Sequence, residues 1–327
     1  MRRFPHTALA IIVIGLASVA VRAETAMPQK ASLQQGFALA KTGMLTEPVR
    51  LALNKNPLLP WLEAINLKQQ FGTAESAQIQ AIVKNNLDEP SSIWLIGQWR
   101  NELIRRQDWQ NAAAWNRLYP DESVATRCAV LLSVEVPARD QAWRQNALAI
   151  WVNESKPPSH CSMLFDGLKQ LNALGNAEAW QRFERLLGDD VSERFSEPMS
   201  VMSLDAAVLA KQYVDFLSAP QMPASVWPND ARTKTVLSKG LLKLAKKNPD
   251  QAELLLSQLV KRYALSTEQN ATVLSEIALW TMVEYDPQAE RRFFAVPEKL
   301  RSANLREWYM RFKFQQNDNG KIGRAHV

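Results

Sequence analysis

An all-α fold, a right-handed superhelix of stacked helical hairpins with a tetratricopeptide-like (TPR-like) cadence, is predicted by three observations. Apolar residues recur at helical spacing along nearly the whole chain, and almost nothing alternates with the period of two that strands need. Glycine is scarce, 11 residues among 327 against 11 tryptophans, which leaves few tight turns or bulges for a sheet-rich fold. A faint echo, Asn111–Leu118 against Asn176–Phe183, returns after 65 residues, as two units of about 33 residues would produce.

The elements follow in order. Ser32–Lys41 reads as a short helix with Leu33, Phe37 and Ala40 on one side, and Pro48 and Pro57 punctuate short helices that follow. Trp61–Phe71 is helical, and Thr73 is a fair cap for Ala74–Asn86. In Ile93–Trp115, residues Leu95, Ile96, Trp99 and Leu103 share one apolar face while Asn101 and Arg105 point away. Asp108 then caps a second helix in which Trp109, Ala112 and Ala113 share a face. Two such short helices cannot bury their own apolar stripe, so the unit must stack on others of its kind. Asp121–Val134 and Arg139–Val152 form a further pair broken by Pro137, and Cys161–Leu174 joins Ala177–Leu187 through Gly175-Asn176. Asp189-Asp190 is expected to open a helix. The stretch from Glu197 to Asp230, with Pro198, Pro220, Pro223 and Pro228, is a local irregularity around a helix at Leu204–Leu217. Helices resume at Ala231–Lys247, whose Lys246-Lys247 suits the negative end of a helix dipole, then Asp250–Tyr263, Ser266–Glu284, Gln288–Phe294 and Leu300–Gln315.

The ends differ from the body. Arg2 and Arg3 precede an apolar run from Ala8 to Ala20, and Val21 and Ala23 supply small residues at the −3 and −1 positions of a cleavage site. Residues 1–23 therefore read as a secretory signal cut between Ala23 and Glu24, the run being shorter than the ~20 residues of a stable membrane span. Of the formal charge of +6, Arg2, Arg3 and Arg22 contribute three and Lys321 and Arg324 two, which leaves +1 for the body. A nucleic-acid partner is not implied. The end, Lys321–Val327, is similar to the translation of a sequencing adapter, so residues 320–327 are expected to be a non-native, disordered tail on a helical domain of residues 24–319.

Cys128 and Cys161 are the two cysteines of a chain expected in an oxidising compartment, where a disulfide is favoured over two unpaired thiols. His160 lies beside Cys161, but neighbours in sequence rarely reach the geometry of a thiol–imidazole nucleophile. The other histidines, His6 and His326, lie in the signal and the tail, so no metal centre and no cofactor is expected. No Gly-rich phosphate loop, His-Glu-x-x-His or Gly-x-Ser-x-Gly motif occurs. Glycoside cleavage needs a carboxylic acid held in an apolar cleft, whereas Glu63 and Glu102 lie on ordinary amphipathic helices. No catalytic residue is assigned.

Several segments, in order, resemble the helical N-terminal region of the soluble lytic murein transglycosylases. Trp99–Gln110 (Trp-Arg-Asn-Glu-Leu-Ile-Arg-Arg-Gln-Asp-Trp-Gln) is the strongest, joined by Asn56–Glu63, by Cys128 and Cys161 at the family's disulfide, by Asp286–Phe294 and by Leu305–Tyr309. The resemblance spans about residues 30–316. It implies a ring- or horseshoe-shaped α-superhelix supporting a lysozyme-like, C-terminal catalytic domain, whose single glutamate acts as acid and then base. Such enzymes cleave between N-acetylmuramic acid and N-acetylglucosamine and leave 1,6-anhydromuramic ends. In the family that glutamate stands in Glu-Ser-x-aromatic, followed by Gly-x-x-Gln-x-Met/Leu-Pro. Here Glu75-Ser76-Ala77-Gln78 and Glu154-Ser155-Lys156-Pro157 lack the aromatic residue, and no full Gly-x-x-Gln-x-Met/Leu-Pro segment occurs, Gly167–Gln170 being followed by Leu-Asn-Ala.

The expectation is the scaffold region of a periplasmic peptidoglycan lytic transglycosylase without its catalytic domain, inactive alone. Its partners would be glycan strands and the missing domain. The alternative is a complete, non-enzymatic periplasmic scaffold that binds proteins on a concave face. Genomic DNA beyond codon 320 separates the two, by an open frame or a stop.

Overall fold

The computed structural model describes residues 29–322 except residue 85, with side chains described from 32 to 316. The expected signal, its cleavage point at Ala23 and Glu24, and residues 323–327 of the expected tail lie outside the described residues. Among the described residues there are seventeen α-helices and no strand, so the fold is all-α.

The chain divides into two compact units that meet in sequence at Pro120 and Asp121. The first holds α1 (Gln29–Ala40), α2 (Glu47–Ala52), α3 (Leu59–Gln69), α4 (Ser76–Val83), α5 (Pro90–Arg105) and α6 (Trp109–Leu118). The second begins with α7 (Val124–Leu132), α8 (Gln141–Asn153), α9 (Cys161–Gln170), α10 (Asn176–Gly188), α11 (Ser196–Met199) and α12 (Leu204–Ser218). It continues with α13 (Ala231–Lys247), α14 (Pro249–Tyr263), α15 (Thr267–Val283), α16 (Ala289–Ala295) and α17 (Ala303–Ile322).

Within each unit the main helix contacts run to the next helix and the next but one. In the first unit α1 packs on α2 and α3, α3 on α5, and α5 on α4 and α6. In the second, α7 packs on α8 and α9, α8 on α9 and α10, and α13 on α14 and α15. The α15 helix then packs on α16 and α17. This is hairpin stacking, and it divides the buried surface into successive clusters. One surrounds Trp143, Trp151 and Leu164, a second Tyr213, Trp227 and Leu241, a third Met282, Phe293 and Phe312.

The α5–α6 hairpin has the expected construction. Leu95, Trp99 and Leu103 are buried while Asn101 and Arg105 are exposed. Gln107 adopts the left-handed backbone (φ 58°) that ends many helices, and the Asp108 side chain accepts from the Asn111 amide. Five of the eleven tryptophans are buried, and the indole nitrogens of several are satisfied. Trp99 Nε1 donates to Ser76 Oγ at 3.0 Å, Trp115 Nε1 to the Ile96 carbonyl at 3.2 Å, and Trp143 Nε1 to the Leu131 carbonyl at 2.8 Å.

Three local expectations are corrected. Thr73 does not cap α4: its hydroxyl donates back to the Gln70 carbonyl, and the cap is Glu75, whose amide donates to Gln78 Oε1 at 3.0 Å. Asp189 closes α10 rather than opening a helix, and Asp190 turns the chain with a left-handed backbone (φ 57°). The last helix starts at Ala303, because Glu298–Leu300 forms a 3₁₀ turn and Ser302 Oγ accepts from the Leu305 amide.

Candidate functional site

The structure joins Cys128 of α7 to Cys161 of α9 by a disulfide, with the Cα atoms 5.4 Å apart. Both cysteines are fully buried in the cluster around Trp143 and Trp151. His160 packs beside them, and its Nε2 donates to the Ala125 carbonyl at 2.9 Å. Sequence reasoning saw no material for a metal centre, yet Cys128, His160 and Cys161 bring ligand-type atoms within 4.8 Å of one another. With both sulfurs in the S–S bond, neither a thiolate nucleophile nor a thiolate ligand exists there.

The carboxylates are placed for structure. Glu63 lies 3.8 Å from Arg50 and half-exposed. It and Glu89 line a cleft of 140 Å³ with Pro60, Ile82 and Leu95, below the ~300 Å³ at which ligand pockets begin. Glu102 accepts from Arg105 at 2.7 Å and from Arg106 at 2.8 Å, and those bonds, Arg105 first, lower its pKa to about 2. Glu75 caps α4, and the backbone carbonyl of Glu154 accepts from Arg182. Among the described residues, every carboxyl whose pKa is displaced is displaced downwards: Glu102, Asp190, Glu197, Glu253, Glu268 and Glu290. A general acid for glycoside cleavage requires the opposite.

A larger concavity lies in the second unit, beneath the segment between α12 and α13. Pro220 disfavours a helical backbone at Ala219, so α12 stops at Ser218, and Pro223 and Pro228 keep the following stretch from resuming it. Asp230 starts α13 by accepting from the Thr233 amide at 2.8 Å. The segment is pinned by buried Trp227, whose Nε1 donates to Gln212 Oε1 at 2.8 Å and whose ring meets Tyr213 and Phe216 at 4.9 and 5.5 Å. Arg262 donates to the Ser225 carbonyl at 3.2 Å. Helices α12 and α13 approach closely because residue 240 is glycine: a Cβ there would lie 2.3 Å from the Phe216 ring.

The resulting groove has two lobes that share Ser218, Ala219 and Gln221, one of 690 Å³ and one of 430 Å³. The larger runs along Gln212, Phe216 and Met222. The smaller is lined by Lys243, Lys246 and Lys247 from the end of α13. Lys243 pairs with Asp190 at 2.9 Å, and Lys246 lies over the Trp280 ring at 5.1 Å. The prolines and the paired lysines are visible in the sequence, but it does not reveal that they border one cavity.

No protein-family model matches the chain. It is 19% identical over 250 residues to the soluble lytic murein transglycosylase of Escherichia coli, covering 76% of this chain and 38% of that protein. To the same-named protein of Salmonella typhimurium it is 20% identical over 245 residues, covering 74% and 38%. The chain thus spans well under half of these relatives. The crystal structure of the 70-kDa soluble lytic transglycosylase of E. coli superposes with a TM-score of 0.67 at 17% identity, over 91% of this chain and 54% of that one. An inactive variant of the lytic transglycosylase Slt of Pseudomonas aeruginosa gives 0.58 at 21%, over 86% and 46%. A 70-kDa soluble lytic transglycosylase solved with bulgecin A gives 0.66 at 18%, over 86% and 49%. In sequence and in fold, then, this chain resembles the soluble lytic murein transglycosylases, over less than the full length of each.

Proposed function

We propose that this chain is the helical scaffold region of a peptidoglycan lytic transglycosylase acting in the periplasm, and that it holds glycan strands for a catalytic domain it does not itself contain. The observation that carries this reading is the coincidence of two likenesses on one stretch: sequence similarity over 250 residues and an all-α fold superposing over 91% of the chain. The downward displacement of the shifted carboxyls supports the same division of labour, since none is tuned as a general acid. No helix among the described residues is long and apolar enough to cross a membrane, which is compatible with a secreted scaffold.

The test is sedimentation of the purified chain with murein sacculi, followed by chromatography of the soluble fraction. The expected result is retention on the sacculi with no release of anhydro-muropeptides. Release would place catalysis within this chain. Failure to sediment would remove the glycan-holding role and favour a scaffold for protein partners.

A further inference from the structure

The groove beneath residues 219–230 is lined by cations at one end only. Its smaller lobe presents Lys243, Lys246 and Lys247 with Gln221 and Gln251, and no acidic side chain lines it. The helix dipole accounts for cations in the last turn of α13, but Lys243 lies earlier, and like charges three and four residues apart repel. Asp190 balances Lys243, and the Lys243 ammonium in turn holds the Asp190 carboxyl below its ordinary range. Lys246 and Lys247 add two further exposed positive charges at the cavity mouth. The larger lobe is different: Phe216, Met222 and Pro223 alternate there with Gln212, Ser218 and Ser225, and its one acid, Asp215, is paired with Lys211. A phosphate polymer would need positive charge along its whole track. Positive charge at one end beside a lobe of 690 Å³ whose one acid, Asp215, is already balanced by Lys211 suits a short chain with a carboxylate terminus or side chain.

We infer that this groove is a subsite for the acidic peptide that peptidoglycan strands carry, with its carboxylates at Lys246 and Lys247 and its uncharged portion against the Gln212–Met222 lobe. The inference rests on the reading of the chain as a glycan-holding scaffold, and adds to it a recognition element for the peptide rather than the sugar. Because the bordering segment is pinned by Trp227 and Arg262, the site is preformed, and binding requires little ordering of the protein.

The test is calorimetric titration of the full chain with three wall fragments: a disaccharide-peptide with free carboxylates, its fully amidated form, and the disaccharide without peptide. Two exposed ion pairs, each worth about threefold, predict that amidation weakens binding about tenfold. Lys246→Gln/Lys247→Gln should lose the same factor toward the acidic fragment and nothing toward the other two. Lys246→Arg/Lys247→Arg should retain wild-type affinity, and thermal melts should match throughout. Equal binding of acidic and amidated fragments, an unaffected double variant, or competition by inorganic phosphate as effective as the peptide would each overturn the subsite. So would absence of binding by the acidic fragment. Sedimentation with peptide-stripped glycan is read separately: retention there with no peptide preference removes the subsite and leaves the scaffold reading standing.

Discussion

Arg182 donates to the backbone carbonyl of Glu154 at 2.8 Å, and its side chain is wholly shielded from solvent. The same guanidinium reaches the Trp151 carbonyl and pairs with Glu197 at 2.8 Å, while Arg194 binds the other oxygen of Glu197. One cation on α10 thus closes the C-terminal end of α8 and anchors α11. Burial pushes the Glu197 carboxyl up, but Arg194 and Arg182 outweigh it and hold it low. Arg182→Met should cost about 2–4 kcal/mol, because it leaves two carbonyls without their donor and removes one of the two cations on Glu197, Arg194 keeping the other. Urea unfolding followed by circular dichroism measures it, and a loss under 1 kcal/mol, about the worth of a surface pair, would contradict a structural role.

The Glu102 carboxylate braces the end of α5 through Arg105 and Arg106, with Arg106 lying 5.0 Å over the Trp99 ring. Its pKa is about 2 in the folded protein, below the ~4.3 of an unfolded glutamate. A depressed pKa stabilises the fold above the unfolded value, and that contribution is lost as pH falls toward 2. Glu102→Gln should therefore lower stability by about 1–2 kcal/mol at neutral pH, with the difference from wild type shrinking below about pH 4. Melting temperatures across pH 2–7 test the sign.

Cleaving the Cys128–Cys161 bond releases a loop of about 34 residues, for which chain entropy gives about 3–4 kcal/mol. Cys128→Ala/Cys161→Ala, or the reduced protein, should be less stable by about that much in urea unfolding and should melt at a lower temperature. A thiol reagent should find nothing to label in the native oxidised chain, and labelling without reductant would contradict the pairing.

Gly240→Ala tests close packing against helix propensity. Alanine is favoured over glycine by about 1 kcal/mol within a helix, but its Cβ would meet the Phe216 ring at 2.3 and 2.7 Å. Overpacking of this kind costs about 1–3 kcal/mol, so the variant should be no more stable than wild type. Phe216→Leu in the same chain should recover part of any loss.

Much of the fold was legible because it is written in short-range rules. The Ser266 start of α15 is a capping box with Gln269, and Asp108 caps α6, both from residues within one turn. Helix α2 was expected only as an unbounded short piece, because it has six residues and Pro48 in its first turn reads as a break. Buried charge was hidden for another reason. Arg117 and Arg182 hold equivalent places in the internal echo, yet Arg117 is exposed and Arg182 is the most enclosed cation described. What separates them is the company of Glu197 and two carbonyls, which only the fold assembles. The groove was illegible likewise: α12, residues 219–230, α13 and the start of α14 each look ordinary alone.

A stack whose helices lean chiefly on the next and the next but one has no keystone. Within either unit, melting can begin at a terminal hairpin and travel inward, so the amides of α17 should exchange with deuterium well before those of α13. Such a body is tuned piecemeal: a pair of helices can be lengthened, tilted or lost while rows further along keep their register, which gives the framework room to drift in sequence without losing its course.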